Sequence, residues 1–166
     1  MAYLLDANVF IQAKNLHYGF DFCPAFWAWI EVKNAAGAVF SIEKVADEIE
    51  AHTDELTAWA ARQGDRLFLP PDDSVLAAFP RVGTWVRGRG YTGPAMDTFF
   101  HVADYYLVAH ALAHSHIVVT HEIPGKKGMR KVQIPDVCIG LRIKCITPFD
   151  MLRKEKARFV LLAGSA

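Results

Sequence analysis

The sequence predicts an α/β fold with a largely parallel sheet. Two observations lead there. Short apolar runs suited to buried strands recur along the chain: Ala2-Tyr3-Leu4-Leu5, Ala38-Val39-Phe40, Leu67-Phe68-Leu69, Ile117-Val118-Val119-Thr120 and Lys144-Cys145-Ile146. Helical patterns separate them throughout, and parallel strands need such crossovers.

In chain order, the first strand leads to a helix begun by Val9 to Lys14. Pro24 stands early in a second helix through Phe26, Trp27, Trp29, Ile30 and Val32, ended by Gly37. Ser41 is a fair N-cap for a helix from Ile42 to Ala51. Thr53 caps the next helix, where Leu56, Trp59 and Ala60 share one face. Pro70-Pro71 stops the third strand, and a helix from Asp72 to about Val86 ends at Gly88, Gly90 and Gly93. Pro94 opens a long helix to about His114. A basic loop runs from Gly125 to Arg130, Pro135 opens a short helix, and Phe149 to Lys156 forms the last one. These elements read as one domain over residues 1–156, followed by a tail over 157–166 whose apolar Phe159-Val160-Leu161-Leu162-Ala163 is suited to packing on the domain or on a second copy.

With 166 residues the chain can bury a real core, and 52% hydrophobic residues argue against disorder. Lys plus Arg and Asp plus Glu are 18 each, so no net charge draws the whole molecule to nucleic acid, and attraction would have to be local. No stretch suits a membrane span, and no basic segment precedes an apolar run as in a signal peptide. Cys23, Cys138 and Cys145 are few and widely spaced, which fits reduced, packed thiols in a cytoplasmic protein.

Asp6 is the most informative residue. It ends the first strand, where open α/β sheets place their ligands, and a carboxylate there needs a cation or partner. Three more acids are candidates to meet it. Glu48 lies beside the face marked by Val45 and Ile49. Asp104 shares the inward edge of its helix with Val108, and falls in one stripe with Asp97 and His101. Glu122 follows the strand Ile117 to Thr120, whose Thr120 hydroxyl can order water or a ligand. Metal-assisted phosphodiester hydrolysis needs such hard oxygen ligands converging on one point.

These residues bear a resemblance. Leu4-Leu5-Asp6-Ala7-Asn8 resembles the opening Asp-x-Asn/Ser of PIN-domain nucleases, and Val45-x-x-Glu48-Ile49 their second acidic motif. Ala103-Asp104 through Ala111 is similar to their helix motif Asp-x-x-Ile-x-Ala-x-Ala, and Val118-Val119-Thr120-His121-Glu122 to their strand-end Thr-x-Asp. Order and spacing fit over roughly the first 150 residues. Together with Ile134-Pro135-Asp136-Val137-Cys138 they resemble a PIN-like branch without an assigned function.

The resemblance implies a three-layer α/β/α sandwich with a central, mainly parallel sheet, an acidic pocket for Mg²⁺ or Mn²⁺, and cleavage of single-stranded RNA. Asp6, Glu48 and Asp104 would be metal ligands, with Asn8 and Thr120 in support. Glu122 stands where the family usually has Asp; its extra methylene moves the carboxylate outward and suits a water-bridged role. Asp136 is an alternative late carboxylate, or simply an acid at a helix N-terminus. The resemblance also implies a cognate antitoxin as partner and, in many members, a homodimer.

A nuclease needs cations for phosphates, and Lys126, Lys127, Arg130 and Lys131 follow Glu122 directly. Arg81, Arg87 and Arg89, with Trp85 and Tyr91 between, form a second basic and aromatic stretch suited to single strands. Two other readings remain open. His101, His110, His114, His116 and His121 are dense, and His110 with His114 at i, i+4 is a zinc-like spacing without HExxH or a nearby Cys. The chain can also be a PIN-like binding module without catalysis.

Overall fold

The computed structural model describes residues 1–161. Parallel strands form a 5-stranded sheet in the order β3-β2-β1-β4-β5. The strands are β1 (Tyr3–Leu5), β2 (Val39–Ile42), β3 (Phe68–Leu69), β4 (Ile117–Val119) and β5 (Cys145–Ile146). The helices are α1 (Ala7–Gln12), α2 (Pro24–Ala35), α3 (Glu43–Glu50), α4 (Glu55–Gln63), α5 (Asp73–Arg87), α6 (Gly93–His101), α7 (Ala103–His114), α8 (Ile134–Leu141) and α9 (Pro148–Lys154). Among the described residues, no helix is long and apolar enough to cross a membrane.

Leu4 and Leu5 are fully buried, as are Val118 and Val119. Consecutive strand residues point to opposite faces, so both faces of the sheet are covered and the molecule is a three-layer α/β/α sandwich. From β1 the chain builds outward through β2 and β3, then returns to lay β4 on the other side of β1. The strand order therefore reverses at β1 and β4, and the crevice beyond their carboxyl ends is the favoured ligand position of such sheets.

The fold departs from the sequence reading at three local points. Ser41 does not cap a helix. It lies in β2, fully buried, and its hydroxyl donates to the Leu5 carbonyl at 2.6 Å, a bond the sheet end needs more than the helix does. Asp54, not Thr53, caps α4 by accepting the Leu56 and Thr57 N–H groups. The long helix expected from Pro94 to His114 is two. Val102 is extended (φ −105, ψ 172) and separates α6 from α7. Asp97, His101 and Asp104 therefore share no single helical stripe, and Asp104 stands in the first turn of α7.

Away from the sheet ends, packing is tight at two places. The Trp85 ring of α5 lies on Gly140 of α8 so closely that a Cβ there would come within 2.1 Å of ring atoms. Phe159, in the expected tail, packs edge-on against Tyr18 and Phe26. The Leu162 and Ala163 part of that apolar tail lies outside the described residues.

Candidate active site

The register of β1 and β4 builds the site. Leu5 pairs with Val119, so the next residues, Asp6 and Thr120, stand side by side at the carboxyl edge of the sheet. The Asp6 N–H donates to the Val119 carbonyl at 3.0 Å. Asp6 is only 5% exposed. It occupies the N-cap position of α1, yet its side chain caps nothing and is directed elsewhere.

That direction is toward Thr120, whose hydroxyl donates to Asp6 Oδ2 at 2.8 Å. The polarity of this bond is forced. Backbone N–H of His121 donates to Asn8 Oδ1 at 3.1 Å, which fixes the Asn8 amide so that Nδ2 donates to Thr120 Oγ1 at 3.0 Å. The Glu122 N–H also donates to that oxygen, at 3.1 Å. Both acceptor sites of the hydroxyl are taken, so its one proton goes to Asp6.

Glu48 and Asp104 come from two helices to line one cavity, and their charges are felt by Asp6. β2 lies on the far side of β1, and α3 leaves its end carrying Glu48 next to fully buried Val45 and Ile49. Glu48 and Asp104 both line a cavity of about 770 Å³ with Lys44, Phe99, His101, Val102, Arg130 and Lys131. The break at Val102 puts Asp104 at the amino end of α7, where the helix dipole favours an anion.

Electrostatically, the acids share one field. Burial raises the Asp6 carboxyl well above the usual range, and the charges of Asp104, Glu122 and Glu48 raise it further, against the Thr120 hydrogen bond. Asp104 is likewise raised, by burial first and then by Glu122 and Glu48, with Lys131 opposing. Glu48 is raised by burial, with His52 and Lys131 opposing. Carboxylates held this way are poised for a cation.

Glu122 has found one within the chain. Its Oε1 is paired with Lys131 Nζ, and its Oε2 accepts the Ile134 N–H at 2.8 Å, at the start of α8. The sequence reading places Lys131 among the phosphate-binding residues; the structure turns it into the acid cluster instead. Burial pulls the Lys131 ammonium down, but the bond to Glu122 and the charges of Glu122, Asp104 and Asp6 outweigh it and hold it above its ordinary value. Lys126, Lys127 and Arg130 remain exposed and make no ion pair among the described residues. Asp136 accepts the Gly125 N–H at 2.9 Å and acts on Tyr91, not on the cluster. In the second basic stretch, Arg87 stacks on Phe100 and Arg89 on Trp85, and Tyr91 is buried.

Among the described residues, no three His, Cys, Asp or Glu side chains form a ready ligand group. Carboxylate oxygens such as those of Asp6, Asp104 and Glu48 are hard donors of the kind Mg²⁺ and Mn²⁺ take, and the mutual repulsion of these acids suits a cation between them. The histidine pair serves elsewhere. His110 is buried, and His114 pairs with Asp72 at 2.9 Å. The cysteines are free thiols. Sequence reasoning misses the Lys131–Glu122 pair; the Glu in place of the expected Asp is its one signal.

A family model described as "Domain of unknown function (DUF4411)" matches residues 3–159. No curated protein matches the chain. Among solved structures, a chain of the crystal structure of VapBC2 from Rickettsia felis bound to a DNA fragment from their promoter is similar, with a TM-score of 0.53. At 13% identity the match covers 89% of this chain and 98% of that one. Such a likeness establishes a shared fold.

Proposed function

Since the chain belongs to the DUF4411 family, whose description assigns no activity, we propose from its site that it is a PIN-type endoribonuclease dependent on Mg²⁺ or Mn²⁺. The feature that supports this reading is a buried Asp6 at the switch point of a parallel sheet that feels the charges of Asp104 and Glu48, two acids from other parts of the chain that line one cavity. A fold built only for binding has no need to bury two mutually repelling carboxylates.

Asp6 and Asp104 would hold the ion, with Glu48 at its open side. When bound, the ion supplies Lewis acidity and lowers the pKa of a water. The remaining work falls to the chain. Thr120 and Asn8 fix the Asp6 carboxylate so that it presents a constant geometry. Glu48 would orient the attacking water and take its proton as the new O–P bond forms, while the leaving oxygen departs with the electron pair of the broken P–O bond and takes a proton from solvent. Lys126, Lys127 and Arg130 bind backbone phosphates, and the exposed His101 ring and Val102 on the cavity wall offer an unpaired base a surface to lie on.

The biological setting proposed is the toxin of a toxin–antitoxin pair. The likeness to a chain of VapBC2 from Rickettsia felis supports it, and the partner would be a protein that covers the acidic cavity. Cleavage of a mixed RNA pool with Mn²⁺, compared between wild type and Asp6→Asn, tests the enzyme reading. Equal cleavage by both, or none by either, overturns it.

A further inference from the structure

One side chain in the cluster has a role that the metal-hydrolase reading leaves unassigned. Lys131 extends from the basic loop into the cavity that Glu48 and Asp104 also line. Its ammonium is paired with Glu122 Oε1, and Glu122 is itself anchored by the Ile134 N–H at its other oxygen. Both oxygens of this acid are engaged, so it acts as a tether between α8 and the lysine. The longer Glu side chain makes this reach possible from the end of β4.

Resting on the reading above, we propose that Lys131 is a built-in counter-cation of the acid cluster. It supplies from the chain the positive charge that a second divalent ion would otherwise bring, and it limits the site to one ion, held by Asp6 and Asp104. Two observations besides the ion pair support this. Lys131 lines the same cavity as Glu48 of α3 and Asp104 of α7, so its charge faces acids on two different helices. Its neighbours Lys126, Lys127 and Arg130 carry no such pairing among the described residues, so the loop divides its cations between two tasks.

The test is calorimetric titration with Mn²⁺ alone, on wild type, Lys131→Met and Lys131→Arg, each checked for folding by its thermal transition. Wild type is expected to bind one ion per chain. Lys131→Met is expected to take up a second ion, or to bind the first at least about tenfold more tightly, which is about 1.4 kcal/mol. Lys131→Arg keeps the charge and should match wild type. Two ions on the wild-type chain overturn the proposal whatever the variants do. One ion on wild type with unchanged or weaker binding by a folded Lys131→Met also overturns it, while leaving the metal-hydrolase reading intact. No ion on any of the three overturns both.

Discussion

The Thr120 hydroxyl donates to Asp6 Oδ2 at 2.8 Å across a separation of 114 positions. Every lone pair of that hydroxyl is occupied by donors from Asn8 and Glu122, so the bond has one direction only. It favours the ionised form of a carboxyl that burial otherwise drives toward protonation. Thr120→Val removes the donor at nearly constant volume. Mn²⁺-dependent RNA cleavage at neutral pH should fall roughly 10–100-fold, the usual cost of losing a group that orients a metal ligand. Thr120→Ser should keep most of it. Cleavage rates of the two variants, measured side by side, check this.

Asp6 itself is predicted to oppose stability while serving function. It is buried beside Asp104 and raised by that burial, so its charge costs the fold free energy. In the presence of a chelator, Asp6→Asn should melt about 2 °C or more above wild type at pH 7.5. The same variant should lose its thermal response to Mn²⁺ and lose cleavage by at least about 10²-fold. A lower melting temperature in chelator would show that Asp6 is structural.

His110 should make the protein acid-sensitive. Burial first, then His114 and His116, lower its pKa to about 4 from 6.5, against the pull of Asp72. Between those two values the unfolded chain binds a proton that the folded chain does not. Stability from this group is therefore complete above about pH 6.5 and is lost as pH falls toward 4. His110→Gln should narrow the gap between melting temperatures at pH 7.5 and pH 5. An unchanged gap would place the acid sensitivity elsewhere.

The seam between α5 and α8 should tolerate no added atom at Gly140. A Cβ would enter the Trp85 ring at 2.1 Å, so Gly140→Ala must displace the indole or the helix. The expected cost is about 1–3 kcal/mol, readable as a lower urea midpoint with an unchanged slope.

Changing Lys126, Lys127 and Arg130 together to Ala should weaken single-stranded RNA binding and flatten its salt dependence. For every phosphate no longer neutralised, the slope of log K against log salt should shrink by about 0.7. Mn²⁺ titration should be unaffected, which separates these three cations from Lys131.

Much of the architecture is legible because it is written locally. Runs such as Leu4-Leu5 and Val118-Val119 are apolar without alternation, which only a sheet covered on both faces allows. Asp6 stands out because a carboxylate directly after such a run has no cheap place to go. Val102 is opaque for the opposite reason: a β-branched residue inside an apolar segment reads as helical, and only tertiary packing makes it a break. Ser41 misleads because its capping propensity is local, whereas the Leu5 carbonyl that claims its hydroxyl is 36 positions away. The pairing of Lys131 with Glu122 spans a loop without periodicity, so nothing in spacing announces it.

The central position of β1 also sets when the acid site can form during synthesis. Leu4 and Val118 are register partners on adjacent strands, so the first strand of this sheet waits for the fourth. A nascent chain stalled before β4 carries Asp6 and Glu48 but has neither Thr120 nor the wall against which Asp6 is held. On the proposed nuclease reading, this ordering would shield the message and the translating ribosome until β4 has emerged.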